Sequence, residues 1–204
     1  MNSVFTSVPL VPEISLHLAG PDRGLFDGGA FHSDRPPPFW EFAWAGGQGL
    51  ARYVLDHPEV VRGRRVLDLA TGSGLVAIAA ARAGAAEVAA SDSDPDAVVA
   101  AHRNARENEV ALAAEMVQPD VVLVGDAFYT ARVAEQMAAT LHRARRAGSR
   151  VLVGDADRGF LPARLFERVT QYTVPVPRAL EEVEVLVAVI WEMRNTMLSS
   201  TNNL

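Results

Sequence analysis

The sequence contains neither cysteine nor lysine. The absence of cysteine from its 204 residues excludes disulfides, thiolate metal sites and cysteine nucleophiles. All nineteen basic residues are arginine, so a Schiff-base lysine and the lysine of a phosphate-binding loop are excluded as well. Any chemistry that the chain performs must use other side chains.

Long apolar runs and an excess of basic charge are also absent. No segment approaches the roughly 20 apolar residues that a membrane helix needs, and the first thirty residues do not resemble a signal peptide. A net charge of −6 argues against a general nucleic-acid binder, and the five histidines are too scattered to indicate a metal site. We expect a cytoplasmic protein with no membrane, nucleic-acid or metal partner.

The most informative segment is a strand, a glycine loop and a helix between residues 65 and 83. An apolar strand ends near an acid, and the glycines of the loop permit positive φ and a close approach of backbone to a ligand. The Ala-rich helix that follows, roughly Ser73 to Ala83, points its positive end at the loop, which suits a carboxylate. A second acid ends the next strand, where it can accept hydrogen bonds from ribose hydroxyls. The pattern favours an S-adenosylmethionine site built from Asp68, Thr71, Gly72, Gly74 and Asp92.

Two other interpretations of this loop stay open. Residues 72–77 fit the dinucleotide pattern G-x-G-x-x-[GA]. In dinucleotide sites, however, the first glycine normally follows the strand directly, whereas here Asp68 and three further residues precede Gly72. A glycine turn without a ligand would explain the turn but not the paired acids.

Strands and helices alternate from Arg62 onward, which predicts a Rossmann-like α/β fold with a mostly parallel twisted sheet and helices on both faces. Asp94 and Pro95 predict the start of a helix that runs to about Asn108, and a second long helix is predicted from Thr130 to Ala147 before Gly148. The predicted strands are Arg65 to Leu69, Glu87 to Ser91, Asp120 to Val124, Ser149 to Val153, Val169 to Val174 and Val183 to Trp191.

The ends of the chain differ from this pattern. Residues 1–60 are rich in proline and show no regular period until a helix from about Gln48 to Asp56, so we interpret them as an N-terminal cap on a domain at residues 61–194. Residues 195–204 are polar without an apolar period, and we expect a disordered tail.

Two further segments carry candidate site residues. Residues 39–48 place Trp40 and Trp44 ahead of a helix, where they either hold the cap to the sheet or form an aromatic wall that attracts sulfonium and ammonium cations. Asp126 and Tyr129 follow the strongest apolar strand, at the sheet edge that lines ligand sites. Asp126 is alternatively the N-cap of the helix after it.

The chain resembles the lysine methyltransferases that modify the β subunit of electron transfer flavoprotein, including their bacterial relatives. The likeness covers most of the chain up to the last strands. It rests on residues 12–14, 39–48, 67–69, Gly72, Gly74, Asp92 with residues 94–95, and residues 125–129.

The resemblance implies a class I methyltransferase with S-adenosylmethionine as cofactor. It implies that Asp68, Gly72, Gly74 and Asp92 hold the cofactor, and that Trp44, Gly46, Gly47 and Gln48 cover it. Residues 126–129 are expected to meet the acceptor, with Asp126 and Tyr129 as catalytic residues and with Trp40, Glu41 and Phe128 as substrate contacts.

The sequence departs from the family pattern at two places. Only eleven residues separate Asn108 from Asp120, and they have poor strand character, with Glu115 as the only acid within residues 110–117. Either the adenine is held differently or the pocket is compromised. Glu41 stands where a small apolar residue is expected, and we expect its carboxylate to face solvent.

Three functional hypotheses follow. The first is protein-lysine N-methylation of electron transfer flavoprotein β subunit or a similar protein. The second keeps the fold and cofactor but has a small-molecule acceptor, since one fold supports many functions. The third is a catalytically impaired cofactor-binding protein, which the short segment before Asp120 favours.

Overall fold

The computed structural model describes residues 3–20 and 38–195, in which strands and helices alternate. In chain order they are β1 (Ser3–Val8), β2 (Val11–Ala19), α1 (Ala45–Asp56), β3 (Arg65–Leu69), α2 (Leu75–Arg82), β4 (Glu87–Ser91), α3 (Pro95–Glu107), β5 (Val121–Gly125), α4 (Ala131–Arg146), β6 (Arg150–Asp155), β7 (Phe166–Pro175), α5 (Arg178–Glu181) and β8 (Val185–Met193). Short 3₁₀ turns precede α1, β3 and β7. Within these described residues no helix is both long enough and apolar enough to cross a membrane.

Strands β3 to β8 form one sheet with the order β4-β3-β5-β6-β8-β7. The first four strands in this order run parallel, whereas β8 is antiparallel to both of its neighbours. The strand order reverses between β3 and β5, and ligands of open α/β sheets bind at the carboxyl ends of the strands at such a point. The predicted mostly parallel sheet is confirmed, and the cleft described below lies at this reversal.

The two faces of the sheet bury alternate residues of the same strands. Val121, Leu123 and Leu152 pack on the side that carries α1 and α2. Val122, Val124, Val151 and Val153 pack on the side that carries α4. This period of two is what a strand covered on both faces requires, and it explains why β5 and β6 are continuous apolar runs.

The six predicted strands are all present. The predictions for β3 and β4 have the observed bounds, and the other four differ from the observed bounds by at most three residues. The helix starts predicted at Asp94 and Thr130 are confirmed, whereas the helix predicted from about Gln48 begins at Ala45 and the one predicted from roughly Ser73 begins at Leu75. The Asp94 side chain accepts a hydrogen bond from the Asp96 amide at 2.9 Å, and Thr130 accepts one from Val133 at 3.3 Å.

The first twenty residues differ from the prediction. Instead of an irregular segment, β1 and β2 form an antiparallel hairpin, so the expectation of no regular structure there was wrong. Two asparagines of α3 hold β2: Asn104 accepts from the His17 amide at 2.9 Å and Asn108 from the Ser15 amide at 3.2 Å. The hairpin buries Val11, Ile14, Leu16 and Leu18 in the main core.

Other parts of the predicted organisation lie outside the described residues. These parts are the prolines at 21, 36 and 37 and the tail from residue 196. The division into a cap and a domain stays a prediction.

The segment between α3 and β5 forms no strand. Among the described residues, its one bridge to β4 joins Ala113 and Ala89, with the Ala113 amide donating to the Val88 carbonyl at 2.7 Å. Asp120, at the end of the segment, bonds to the backbone of Arg65 and Arg150. The poor strand character predicted for this segment is confirmed. Strand β4 therefore has a full partner only on its β3 side.

Helix α1 lies unusually close to the carboxyl ends of β5 and β6. A Cβ atom added to Gly46 would overlap the carbonyl oxygen of Gly154, and one added to Gly154 would overlap the carbonyl oxygen of Gly46. A Cβ on Gly125 would lie 2.8 Å from the Cα of Gly47. Glycine is needed at these contacts because two backbones meet without side chains between them.

This packing predicts different effects for two adjacent substitutions. We expect Gly46→Ala to lower the free energy of unfolding by about 1 to 3 kcal/mol, since the new methyl group has no space beside Gly154. Gly47→Ala is the matched control, because no atom lies within 4 Å of the Cβ position there. Urea denaturation of both variants tests the prediction, and equal stabilities would contradict it.

Candidate active site

Asp68 ties the end of β3 to the start of α2. Its Oδ2 accepts hydrogen bonds from the Thr71 hydroxyl at 2.6 Å and from the Ala77 amide at 2.9 Å. The Ala77 amide belongs to the first turn of α2, where backbone N–H groups lack partners within the helix. The carboxylate therefore fixes the glycine loop to the helix that follows it.

The other oxygen of Asp68 has no such bond. Asp68 is buried, and its Oδ1 has no hydrogen-bond partner among the described residues. Burial raises the pKa of Asp68 to about 7, against the lowering effect of the bonds from Thr71 and Ala77, and the nearby Asp92 adds to the rise. A buried carboxylate is stable as an anion only beside a positive partner. Oδ1 is thus an acceptor that no protein group among the described residues uses.

Asp92, which follows the neighbouring strand β4, binds the backbone of the glycine loop. Its Oδ2 accepts from the Gly72 amide at 3.0 Å and its Oδ1 from the Asp94 amide at 3.0 Å. Gly72 has a φ of 52°, which a glycine adopts readily. Asp92 lies at the carboxyl end of β4 as predicted, and in this structure it orients the loop backbone.

Gly74 has a packing role. Its φ is 84°, and an added Cβ would lie 2.8 Å from the Cα of Ala101 in α3. The glycine therefore allows α2 to start against α3. The structure gives this glycine no place in the wall of the cleft, which its neighbours Gly72 and Ser73 do line.

A cleft with about 40 Å³ of space for water-sized molecules, partly open to solvent, lies between the loop and the start of α1. Five predicted site residues line it: Trp44, Gly47, Asp68, Thr71 and Gly72. The other lining residues are Phe42, Ala43, Ala70, Ser73, Leu75, Val76 and Gly125.

Gln48 has a structural role and does not line the cleft. It is fully buried, its side-chain oxygen accepts from the Leu10 amide at 3.2 Å, and its side-chain amide donates to the Ala43 carbonyl at 2.7 Å. Gln48 therefore links the hairpin turn to the segment before α1. It supports the residues that form the wall of the cleft.

An aromatic rim stands beside the cleft. The ring centroid of Phe39 lies 6.0 Å from that of Trp44 and 5.5 Å from that of Tyr129, and Tyr129 is 41% exposed. The Trp44 indole donates to the Phe39 carbonyl at 2.8 Å. Trp40 is half-buried, and its Cα lies 3.9 Å from the Cβ position of Gly72.

Two predicted substrate contacts are buried. The expectation that Glu41 faces solvent was wrong, because the residue is only 2% exposed. Phe128 is fully buried and packs edge-on against Phe166, with ring centroids 6.1 Å apart. Its ring belongs to the core on the α4 side of the sheet, so a substrate contact by this ring is not supported.

Asp126 is not the N-cap of the helix that follows it, since Thr130 caps α4. Its φ is 55°, and its side chain is turned toward α1. The Oδ2 atom accepts from the Gly46 amide at 2.9 Å, and Oδ1 accepts from the Nε of Arg158 at 2.8 Å. The aspartate therefore caps α1 and pairs with an arginine.

The sequence interpretation missed Arg158, Glu181 and Asp155 around Asp126. Arg158 donates to Asp126 and also to Glu181 of α5, at 2.7 Å from its Nη2 to Oε1. Asp155 ends β6 beside this pair, and burial and Asp126 together raise the pKa of Asp155 to about 6. One signal was available: residues 151–155 repeat the pattern of residues 121–126, an apolar strand followed by Gly-Asp.

Comparison with known proteins agrees with this geometry. Residues 52–144 match the family of ribosomal protein L11 methyltransferase (PrmA). The chain is 34% identical to the electron transfer flavoprotein β subunit lysine methyltransferase of Rattus norvegicus, over 93% of this chain and 80% of that protein. The Homo sapiens protein of the same name is also 34% identical, over 92% of this chain and 77% of its own length.

A solved structure supports the fold alone. A Thermoplasma acidophilum protein superposes with a TM-score of 0.51 at 22% identity, covering 72% of this chain and 89% of that one.

The reversed strand order, the acid-and-glycine loop and these relatives together define an S-adenosylmethionine-dependent methyltransferase of the Rossmann-like class I fold. Within that class, the chain belongs to the electron transfer flavoprotein β subunit lysine methyltransferase family.

The raised pKa of Asp68 makes a prediction about stability. A raised pKa means that the folded state holds the proton more tightly than the unfolded state. The resulting stabilisation is complete below about pH 4 and is lost as the pH rises toward 7. Asp68→Asn keeps an acceptor for Thr71 and Ala77 but has no proton to lose.

We therefore expect the variant to gain stability relative to the parent by about 1 kcal/mol for each pH unit between 5 and 7. Urea denaturation without cofactor across this range measures the difference. Parallel pH profiles for the two proteins would show that Asp68 is not protonated in the folded state.

Proposed function

We propose that this chain methylates a lysine of a protein, and that the acceptor is electron transfer flavoprotein β subunit or a protein similar to it. The observation that carries the proposal is the likeness to enzymes of that name over 93% of the chain. A cytoplasmic location stays a prediction from the sequence, which cell fractionation would test.

We also propose that the cleft holds S-adenosylmethionine, which when bound supplies a methyl group on a positively charged sulfur. The residues fit this ligand at its amino-acid end. Asp68 Oδ1 is a buried acceptor without a partner among the described residues, which suits the ammonium group, and the start of α2 suits the carboxylate. Asp92 lies where ribose hydroxyls are expected, and Trp44 and Gly47 would cover the cofactor.

The acceptor would approach past the aromatic rim. A lysine has an unperturbed pKa of about 10.4 and must lose a proton before it attacks. Burial and the nearby Asp92 raise the pKa of Tyr129, so its hydroxyl stays protonated near neutral pH. Tyr129 would therefore orient the amine, and water would take the proton. The methyl group is then transferred by direct displacement, with no covalent bond to the protein.

Asp126 has an indirect part in this scheme. Its two oxygens accept hydrogen bonds from Arg158 and the Gly46 amide, which suits a positioning group. It would orient the acceptor and hold α1, with Trp44, over the cleft.

One observation favours a second candidate. The segment before β5 meets β4 through a single bridge among the described residues, so the nucleoside end of the cleft is less enclosed than a full strand would make it. A protein that binds the cofactor without turnover would be compatible with this feature. A small-molecule acceptor is the remaining alternative of the same fold.

Incubation with methyl-labelled cofactor separates these candidates. We expect label to enter purified electron transfer flavoprotein β subunit at lysine, and in a cell lysate to enter a protein band. Label in a small metabolite would replace the protein acceptor with a small one. Binding without transfer, measured by calorimetry, would support the impaired protein, and no binding would remove all three candidates.

The role of Asp126 predicts a separation of turnover from cofactor binding. We expect Asp126→Asn to lower kcat by about 100-fold or more, while the dissociation constant of S-adenosylmethionine changes by less than about threefold. Asp157→Asn is the matched control, since this exposed carboxylate lies in the same loop as Arg158. An equal loss of turnover and affinity would place Asp126 in the cofactor site instead.

A further inference from the structure

Arg158 fills a small acidic site at the carboxyl ends of β5 and β6. Its Nε and Nη2 donate to the two oxygens of Asp126 at 2.8 and 3.2 Å, and its Nη1 and Nη2 donate to Glu181 at 3.2 and 2.7 Å. The side chains of Asp126 and Glu181 are 1% and 9% exposed, while that of Arg158 is 24% exposed. The carboxylates are therefore fixed and buried, and the cation enters from the solvent side.

The same site has an aromatic wall that it shares with the cleft. The guanidinium carbon of Arg158 lies 5.2 Å from the centre of the Trp44 ring, which is cation–π geometry. Trp44 also lines the cleft, as does Gly125, the residue before Asp126. A cation at this position is thus next to the space assigned to the cofactor.

The site holds one acceptor that Arg158 does not use. Asp155 is 2% exposed, and its Oδ2 has no hydrogen-bond partner among the described residues, although its Oδ1 accepts from the Asp157 amide at 2.8 Å. Asp155 is close enough to Asp126 and Arg158 for both charges to act on it. A buried, unused carboxylate oxygen beside a bound cation is a free acceptor for another donor.

Buried carboxylates with an aromatic face are the groups that recognise an alkylammonium ion. We propose that Arg158 occupies the position of the acceptor's ε-ammonium group, and that the incoming lysine displaces the guanidinium from Asp126. This inference rests on the proposed lysine methylation and adds Arg158 and Glu181 to the acceptor site.

The exchange follows from the cost of a buried charge. Asp126 cannot be left without a cation, because an unpaired buried carboxylate is strongly unfavourable. The acceptor therefore enters as an ammonium ion while Arg158 keeps its bonds to Glu181. The displaced guanidinium, still nearby on Glu181, favours loss of the lysine proton to water and returns toward Asp126 as the amine becomes neutral. The nitrogen then forms a bond to the methyl carbon as the sulfur–methyl bond breaks, leaving a methylammonium ion and a neutral thioether.

The absence of lysine permits a direct test. In Arg158→Lys, the substituted side chain is the only lysine of the chain. Its Nζ would take approximately the position of the guanidinium carbon, one bond beyond the Nε that now contacts Asp126. We expect the purified variant, given S-adenosylmethionine alone, to methylate its own introduced lysine. Peptide mass spectrometry would locate the methyl groups and separate them from modification of the N-terminal amine.

A matched control is Arg143→Lys. Arg143 lies in the last turn of α4 and therefore at the opposite end of the sheet from the cleft. A lysine there should stay unmodified. If the lysine introduced at position 158 stays unmodified while the variant is folded and still methylates an acceptor protein, the inference is overturned and the proposed function stands. If the parent protein neither binds the cofactor nor methylates a protein, both fall together.

A second variant decides the matter if Arg158→Lys does not fold. Glu181→Gln keeps the size of the side chain and leaves Asp126 intact, but it removes one of the two charges that hold Arg158. We expect the KM for the acceptor protein to fall by about three- to tenfold, with an unchanged dissociation constant for S-adenosylmethionine. An unchanged or higher KM would show that Arg158 does not compete with the acceptor.

Discussion

The cleft depends on one close contact between backbones. Helix α1 begins directly on the ends of β5 and β6 because Gly46 faces Gly154 and Gly47 faces Gly125. This contact brings the Gly46 amide within 2.9 Å of Asp126, and it carries Trp44 to the edge of the cleft. A side chain that projected into either contact would move the helix outward and separate the wall of the site from its floor.

Three carboxylates of the site are buried, and they differ in how their charge is compensated. Asp68, Asp126 and Asp155 all lie at the ends of strands, and all are nearly inaccessible to water. Each has a different compensation: Asp126 has an arginine, Asp155 has one backbone amide, and Asp68 has a hydroxyl and a helix amide on one oxygen alone. The differences decide which oxygen is open to a ligand and which already serves the protein.

Local patterns predicted the parts of the fold whose causes are local. The strands that become β5, β6 and β8 contain apolar runs, and the caps at Asp94 and Thr130 are short-range hydrogen bonds. The loop around Gly72 was equally visible, because the spacing of its acids and glycines lies within one strand–loop–helix unit. These features need no knowledge of distant residues.

The rest depends on distant partners. The β1–β2 hairpin is held by Asn104 and Asn108, which are 87 and 93 residues from the groups they bind. Arg158 is a surface-type residue by sequence, and only its proximity to Asp126 and Glu181 gives it a place in the site. Glu41 was assigned to solvent for the same reason, since no local pattern shows that a charged side chain will be buried.

The short segment between α3 and β5 also affects how the sheet opens. Within the described residues, β4 is paired along its length with β3 but meets only Ala113 on its other side, whereas β5 is paired with β3 and β6. Peptide groups on the outer side of β4 are less protected, and local opening begins where backbone pairing is thinnest. Within the parallel part of the sheet, amide hydrogen exchange should thus be fastest in β4, the strand beside the proposed ribose site. A bound nucleoside should slow this exchange.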